Sequence, residues 1–344
     1  MFVPCLVRVD ADDWQGSRLR LGHPLLDDYL SMVEARARPN TVLAVAYDLK
    51  VFFTVVAKEP VEVTATDVLE FIREQRRPRH GSGVIRLEDG ESGLSARTIR
   101  RRLASVAGLF DYLIIRGVVD GNPVPRGLPS RSPRRGGVGH RQVPLIRVPR
   151  TLPRVLNPAE VDALLAALRT HRDRAMVLAM VLGGLRRCEV LGLRLADVSP
   201  GARRLFIAEG KGGHQRIVPV SQRFFIVLAA YLEHERPREC ATEAVFVVLK
   251  GPHRGLPLSA AGLDEIVSGA RQRAGLRHAT CHQLRHTCLT RLREAGMALE
   301  AVQAQAGHRS IESTRIYLHL TNDWLARQYD QALAAIDADL LGRS

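Results

Sequence analysis

Lysine is almost missing from this chain. Of its 50 basic residues only Lys50, Lys58, Lys211 and Lys250 are lysine; the rest are arginine. The bias most simply reflects a GC-rich coding sequence, so a lysine kept at a particular place is a signal. Aromatics are also few, at 5%. The five cysteines (Cys5, Cys188, Cys240, Cys281, Cys288) are odd in number and scattered, with no C-x-x-C pair. That excludes a disulfide framework and a thiolate metal ribbon, and reads as reduced thiols in a cytosolic protein. No apolar run is long enough to span a bilayer: the longest, Ala175–Leu185, is flanked by Arg174 and Arg186. Met1–Asp10 has no charged segment followed by a long apolar core, so no secretory signal is expected. Acids are outnumbered, 36 against 50, and the formal net charge is +14. A balance that basic points to a polyanionic partner, nucleic acid before an anionic membrane surface.

The length of 344 residues suggests two domains. Residues 1–20 carry little pattern and read as a tail. Residues 21–125 read as four helices. Leu25, Leu26, Tyr29, Leu30 and Val33 share one face; Val42, Val45, Leu49, Phe52, Phe53 and Val56 share another. Thr64 and Asp67 stand at capping-box spacing before a third helix. The fourth, Ser95–Arg116, carries the stripe Ile99, Leu103, Val106, Phe110 and Leu113, with Arg97, Arg100, Arg101 and Arg102 off or beside it.

Residues 126–150 hold seven arginines, four prolines and no acid, half the formal net charge. Proline stiffens and extends such a linker. A basic strap of this kind suits a phosphate backbone, with Arg131, Arg134, Arg135 and Arg141 as candidate contacts beside Arg97, Arg100 and Arg101. Its bland alternative is a solvated tether.

From residue 151 to 344 the pattern becomes compact. Asn157-Pro158-Ala159-Glu160 spells an N-cap, N1 proline and N3 glutamate. Helices are expected over Arg172–Leu182, from near Arg186, and over Ser221–Glu235, Ser259–Ala274, His282–Glu294, Leu299–Gln305, Ser310–Tyr317 and Asp323–Leu340. Arg203–Ala208 and Gln215–Val220 read as a β-hairpin with Lys211 in its turn, and Ala244–Leu249 as a further strand.

The second half carries a set of residues suited to cutting a phosphodiester without metal: Arg186, Lys211, His282-x-x-Arg285, His308 and Tyr317. Such a reaction needs a nucleophile, charge compensation on the non-bridging oxygens and a proton donor for the leaving alkoxide. A tyrosine phenol, with a pKa near 10, can attack and leave again. Two arginines can each make paired hydrogen bonds to phosphate. Lysine, unlike arginine, can donate a proton near its pKa of about 10.4. Each residue has a plainer reading by itself. Arg186 could pair with Glu189 at a helix start, Lys211 could be a solvated turn residue and Tyr317 a core tyrosine. His278, His282 and His286 at i, i+4, i+8 mimic a metal stripe, but no carboxylate or cysteine completes a recognisable set. Their joint occurrence in order is what chance explains poorly.

Taken together, Gly184-Leu185-Arg186-x-x-Glu189, Gly210-Lys211-Gly212, His282-x-Leu284-Arg285-His286-Thr287, Gly307-His308 and Tyr317 resemble the tyrosine recombinase (phage integrase) family, over about residues 20–340. The resemblance implies a mainly α fold with a small β-sheet in the catalytic domain. It implies a two-domain C-shaped clamp: a helical core-binding domain plus a catalytic domain ending in a docking helix. Arg186 and Arg285 would activate the phosphate, Lys211 would be general acid, and His282 general base or proton shuttle. His308 would donate a hydrogen bond to the scissile phosphate and Tyr317 would be the nucleophile. A 3′-phosphotyrosyl link, a free 5′-hydroxyl and a Holliday junction would follow, with no metal, ATP or other cofactor. The implied partners are double-stranded DNA with paired recombination half-sites and other protomers in a homo-tetramer, or a hetero-tetramer with sister recombinases. No arm-binding domain is expected before residue 20. Cys281 stands where the family commonly has proline, Gln305-Ala306 where leucines are usual, and Gly183-Gly184 in place of Thr-Gly. The readings from other classes are a DNA-binding accessory protein that does not cut, and a type IB topoisomerase.

Overall fold

A computed structural model describes residues 2–9, 18–77, 93–125, 128–129, 142–143, 146, 154–208 and 215–307. The chain divides into two compact units, Met1–Arg150 and Thr151–Ser344.

In the first unit, β1 (Val7–Val9) pairs antiparallel with β2 (Arg18–Arg20). The sequence shows little pattern here, yet Leu19 and Leu21 are buried. Glu34 and Asp27 accept from their backbone amides at 3.0 and 2.6 Å. Four helices follow: α1 (Pro24–Arg36), α2 (Pro39–Val56), α3 (Ala65–Arg76) and α4 (Ala96–Ile115). Three of them start on a side chain that accepts from a first-turn amide, His23, Thr64 and Ser95, while α2 starts on Pro39 with no side-chain cap. Thr64 and Asp67 form the reciprocal capping box in which the N3 side chain is aspartate, and Ser95 caps α4.

The apolar stripes meet in one core around Phe52, Phe53, Phe71, Phe110, Leu26 and Leu30. Fully burying each such side chain contributes roughly 1.5–3 kcal/mol. Helix α2 is long and apolar enough to cross a membrane by length and composition, but its stripe lies in this core and its buried Asp48 is bonded to α4. Within the expected linker, β3 (Leu128–Pro129) pairs with β4 (Gln142–Val143), and Ile146 is buried in the core of the first unit.

The second unit contains α5 (Pro158–Ala166), α6 (His171–Val181) and α7 (Arg187–Leu191). A three-stranded antiparallel sheet of β5 (Val198–Ser199), β6 (Arg204–Ile207) and β7 (Arg216–Pro219) comes next. The helices α8 (Gln222–His234), α9 (Ala260–Arg273), α10 (Cys281–Glu294) and α11 (Leu299–Ala306) complete its described part.

The β6–β7 hairpin has the expected position, with Leu205 paired to Val218 and Phe206 to Ile217. The strand expected over Ala244–Leu249 is absent. Only the isolated bridges Arg194–Ala244 and Val247–Pro257 form there, because the Val245 carbonyl and the Val247 amide bond the buried Tyr231 hydroxyl rather than a neighbouring strand. The third strand is instead Val198–Ser199, too short to show an alternating pattern. α6 is the central helix, its Ala175–Val181 stretch wholly buried, and it packs on α8 and α10. Leu156, just before α5, is fastened to α10: its amide donates to Thr287 Oγ1 at 2.9 Å, and its carbonyl accepts from Arg291 Nη2 at 3.1 Å. The helices expected over Ser310–Tyr317 and Asp323–Leu340 lie outside the described residues.

Candidate active site

α10 carries three of the residues singled out by sequence. Thr280 caps it, accepting from the Gln283 amide at 3.2 Å. At helical spacing His282, Arg285 and His286 fall on neighbouring positions of one face. Arg285 is buried, its side chain only 4% exposed. It donates to the Gly184 carbonyl through Nη1 and to the Ala306 carbonyl through Nη2, the latter at 2.6 Å.

Arg186 precedes α7 as its N-cap. The turn that delivers it requires Gly184 at φ 68°, a left-handed conformation that glycine adopts without strain. A Cβ there would also stand 3.2 Å from Leu289.

Arg186 and Arg285 converge on one carboxylate, Glu189, whose side chain is fully buried. Glu189 accepts from the Arg186 amide at 2.8 Å and from Arg186 Nη1 at 2.7 Å. Arg285 Nη1 stands 3.9 Å away. A third arginine completes the arrangement: Arg216 Nη1 and Nη2 reach the two Glu189 oxygens at 2.9 and 2.8 Å. Burial works to raise the Glu189 pKa. It is outweighed by the Arg216 hydrogen bonds, the Arg186 amide and the charges of both arginines, which bring it down to about 2. A carboxylate held charged this way fixes guanidinium planes in a buried place, where an unpaired charge would be very costly.

Arg216 was missed from the sequence. Its signal was available: it sits on the same side of the β7 alternation as buried Val218, an arginine on the inward face of a strand.

His282 and His286 lie one turn apart, with Nε2 atoms 2.7 Å from each other and rings edge-to-face at 4.2 Å between centroids. Burial, then the charges of His282 and Arg285, push His286 down to about 4. It is neutral at neutral pH and able to hold its partner by a ring–ring hydrogen bond. Among the described residues no group of three or more His, Cys, Asp or Glu could hold a metal ion.

The substituted positions also find partners. Cys281, at the first turn of α10, is buried and approaches Asp264 Oδ1 at 3.5 Å; burial and that carboxylate push its thiol up to about 12. Gln305 is buried and bonded to two carbonyls.

In the first unit Arg97, Arg100 and Arg101 are exposed on one side of α4. Arg101 also donates to the buried Asp48 at 2.6 Å, so it ties α4 to α2. Lys211, His308 and Tyr317, and the linker arginines Arg131, Arg134, Arg135 and Arg141, lie outside the described residues.

Comparisons with known proteins give the family and the fold. Residues 154–323 match the phage integrase family, and residues 26–117 match the phage integrase N-terminal SAM-like domain. The chain is 31% identical to tyrosine recombinase XerD of Listeria monocytogenes serotype 4b (strain F2365), over 89% of this chain and 97% of the relative. It is likewise 31% identical to tyrosine recombinase XerC of Roseiflexus castenholzii, over 84% and 86%. Among solved structures, the fold is similar to the Tn1549 transposon integrase in complex with transposon right end DNA. That match has a TM-score of 0.66 and 19% identity, over 90% of this chain and 99% of that one. It is also similar to the lambda integrase dimer bound to a core site, with a TM-score of 0.61 and 17% identity, over 86% and 94%. The chain belongs to the phage integrase family and is a tyrosine site-specific recombinase.

Proposed function

We propose that this recombinase cleaves and rejoins DNA through a covalent phosphotyrosine, without metal or ATP. The observation that carries the reading is the convergence of Arg186 and Arg285 on buried Glu189. Two preorganised guanidinium groups suit the two non-bridging oxygens of a phosphodiester, and losing one such donor typically slows the step about a hundredfold or more. In the reaction the Tyr317 oxygen forms a bond to phosphorus and the bond to the 5′-oxygen breaks. Lys211 gives its proton to that oxygen, leaving a 5′-hydroxyl. His282 manages the phenol proton and His308 donates to the phosphate. A 5′-hydroxyl from a second strand then attacks phosphorus, Tyr317 leaves, and the exchanged strands form a Holliday junction.

The partners follow from charge and relatives. The +14 balance and the arginines Arg97, Arg100 and Arg101 on α4 suit a duplex, and the segment at 126–150 with Arg131, Arg134, Arg135 and Arg141 suits its backbone. Both units would meet DNA in the cytoplasm, with four protomers at paired half-sites and the helix expected from Asp323 docking on a neighbour.

The test is Tyr317→Phe on a nicked suicide duplex. The variant binds the duplex with nearly unchanged affinity and forms no covalent adduct. An adduct in the variant removes Tyr317 from the mechanism. Binding itself falls steeply with salt; a flat response argues against arginine contacts with the phosphate backbone.

A further inference from the structure

The last turn of α11 is held in an unusual way. Helices end with carbonyls that have no partner in the helix. Here three consecutive ones, at Gln305, Ala306 and Gly307, accept from three arginines. Arg216 Nε reaches the Gln305 carbonyl at 3.2 Å, Arg285 Nη2 the Ala306 carbonyl at 2.6 Å, and Arg186 Nη2 the Gly307 carbonyl at 3.1 Å. These are the arginines gathered on Glu189, so one cluster binds both a buried carboxylate and a helix end, where positive charge is favoured.

The side chain of Gln305 runs the other way. Its Nε2 donates to the Gly183 carbonyl at 2.9 Å and to the Pro219 carbonyl at 3.2 Å. It therefore joins α11 to the turn before Arg186 and to the end of β7. Gly307 closes the helix at φ 60°, and a Cβ on it would stand 2.9 Å from Arg216 Cζ and Nη1. The guanidinium lies against bare backbone.

We propose that Arg216 and Gln305 are positioning residues. Together they lock the end of α11 onto the Arg186–Arg285 pair and so fix the direction in which the chain leaves Gly307 for His308 and Tyr317. The proposal rests on the reading of those two residues as reacting groups. Neither Arg216 nor Gln305 touches substrate in it. Where the family commonly has a leucine, this chain has an amide that makes two specific hydrogen bonds, so the lock at that position is polar rather than a matter of packing.

The experiment uses the full chain with Gln305→Leu, Arg216→Gln and the conservative Arg216→Lys. Hydrogen exchange of residues 299–307 in the free protein reads the lock directly. Single-turnover cleavage of the suicide duplex and the duplex Kd read its use. Gln305→Leu and Arg216→Gln should speed exchange there by about tenfold or more, the size of losing buried hydrogen bonds. Cleavage should slow by about a hundredfold, the effect of a small misplacement of reacting groups, with Kd within about threefold of the parent. Arg216→Lys keeps the charge without the two-point pairing and should recover only part of the rate. A double variant Arg216→Gln/Gln305→Leu should be little slower than the worse single one, since both act on one element.

Unchanged exchange in Gln305→Leu and Arg216→Lys overturns the lock, even if Arg216→Gln fails to fold. Faster exchange with unchanged cleavage overturns the positioning role. If the parent protein itself forms no adduct, the phosphotyrosine reading falls, while exchange still decides whether the lock exists.

Discussion

Arg216 and Glu189 face each other in a two-point ion pair, with both guanidinium nitrogens 2.8–2.9 Å from the two carboxylate oxygens. Glu189 is out of solvent and is also approached by Arg186 and Arg285, the two arginines expected to meet phosphate.

The first prediction concerns acid. Glu189 has its folded pKa lowered from 4.5 to about 2. A depressed carboxyl stabilises the fold above its unfolded pKa, and that contribution is lost as pH falls from about 4.5 towards 2. The shift corresponds to roughly 3 kcal/mol. Denaturant unfolding of the parent and of Glu189→Gln should therefore differ most at pH 6 to 7 and converge as pH approaches 2. A difference that does not shrink with acid assigns the stability to something other than this charge.

Lys211 gives a second prediction, from composition. In a chain where arginine fills nearly every basic position, Lys211→Arg keeps the charge and removes a usable proton. Cleavage should slow on a duplex with an ordinary 5′-oxygen leaving group, and recover on one with a bridging 5′-sulfur, which leaves without a proton. Ordinary rates on the oxygen substrate remove the general-acid role.

The third concerns His286. Its pKa, lowered from 6.5 to about 4, keeps it neutral in the folded protein. The unfolded chain takes up a proton near pH 6.5, so stability present above that pH declines as pH falls from 6.5 to 4. His286→Asn should flatten this part of the stability profile. In NMR titration the His286 ring should remain neutral at pH 6, when ordinary histidines are largely charged.

Asp48 gives the fourth. It is buried on α2 and accepts from Arg101 at 2.6 Å and Ser105 at 2.9 Å on α4. Burial raises its pKa against the opposing pull of Ser105, Arg101 and Arg102. Asp48→Ala removes the acceptor that ties α4 to α2, while Arg101, half exposed, can turn to water, so the cost should be that of lost hydrogen bonds to a charged group, about 1.5–3 kcal/mol. Asp48→Asn keeps an acceptor and should cost less. Thermal unfolding of the two variants measures the order.

These residues also mark how far the sequence could be read. The helices were legible because their apolar residues recur at helical spacing and their caps are spelled out, as at Asn157–Glu160 and Thr64–Asp67. The ordered motifs around Arg186 and Arg285 were legible as residue types. Glu189 is legible only as a helix-start partner of Arg186, because burial of a carboxylate depends on what folds over it. The sequence marks Gln305 only as a substituted position and Arg216 only as an arginine on the inward side of a strand, and their bonds stay hidden for a related reason. Their partners lie 27 to 122 residues away in sequence, and no local pattern announces a side chain that bonds a distant carbonyl. Ala244–Leu249 misled in the opposite sense: its apolar run is that of a buried segment, which periodicity alone cannot assign to a strand.

Leu156 has a mechanical consequence. Both polar groups of its backbone are tied to α10, through Thr287 and Arg291. A helix is a stiff rod on the scale of a few turns. Tension on the chain where it enters the second unit is therefore delivered to the rod that carries Arg285, two residues from the point of attachment. Thr287 works as a coupling pin, and Thr287→Val, which keeps the shape and removes the hydroxyl, would slacken the load path without touching the charged cluster.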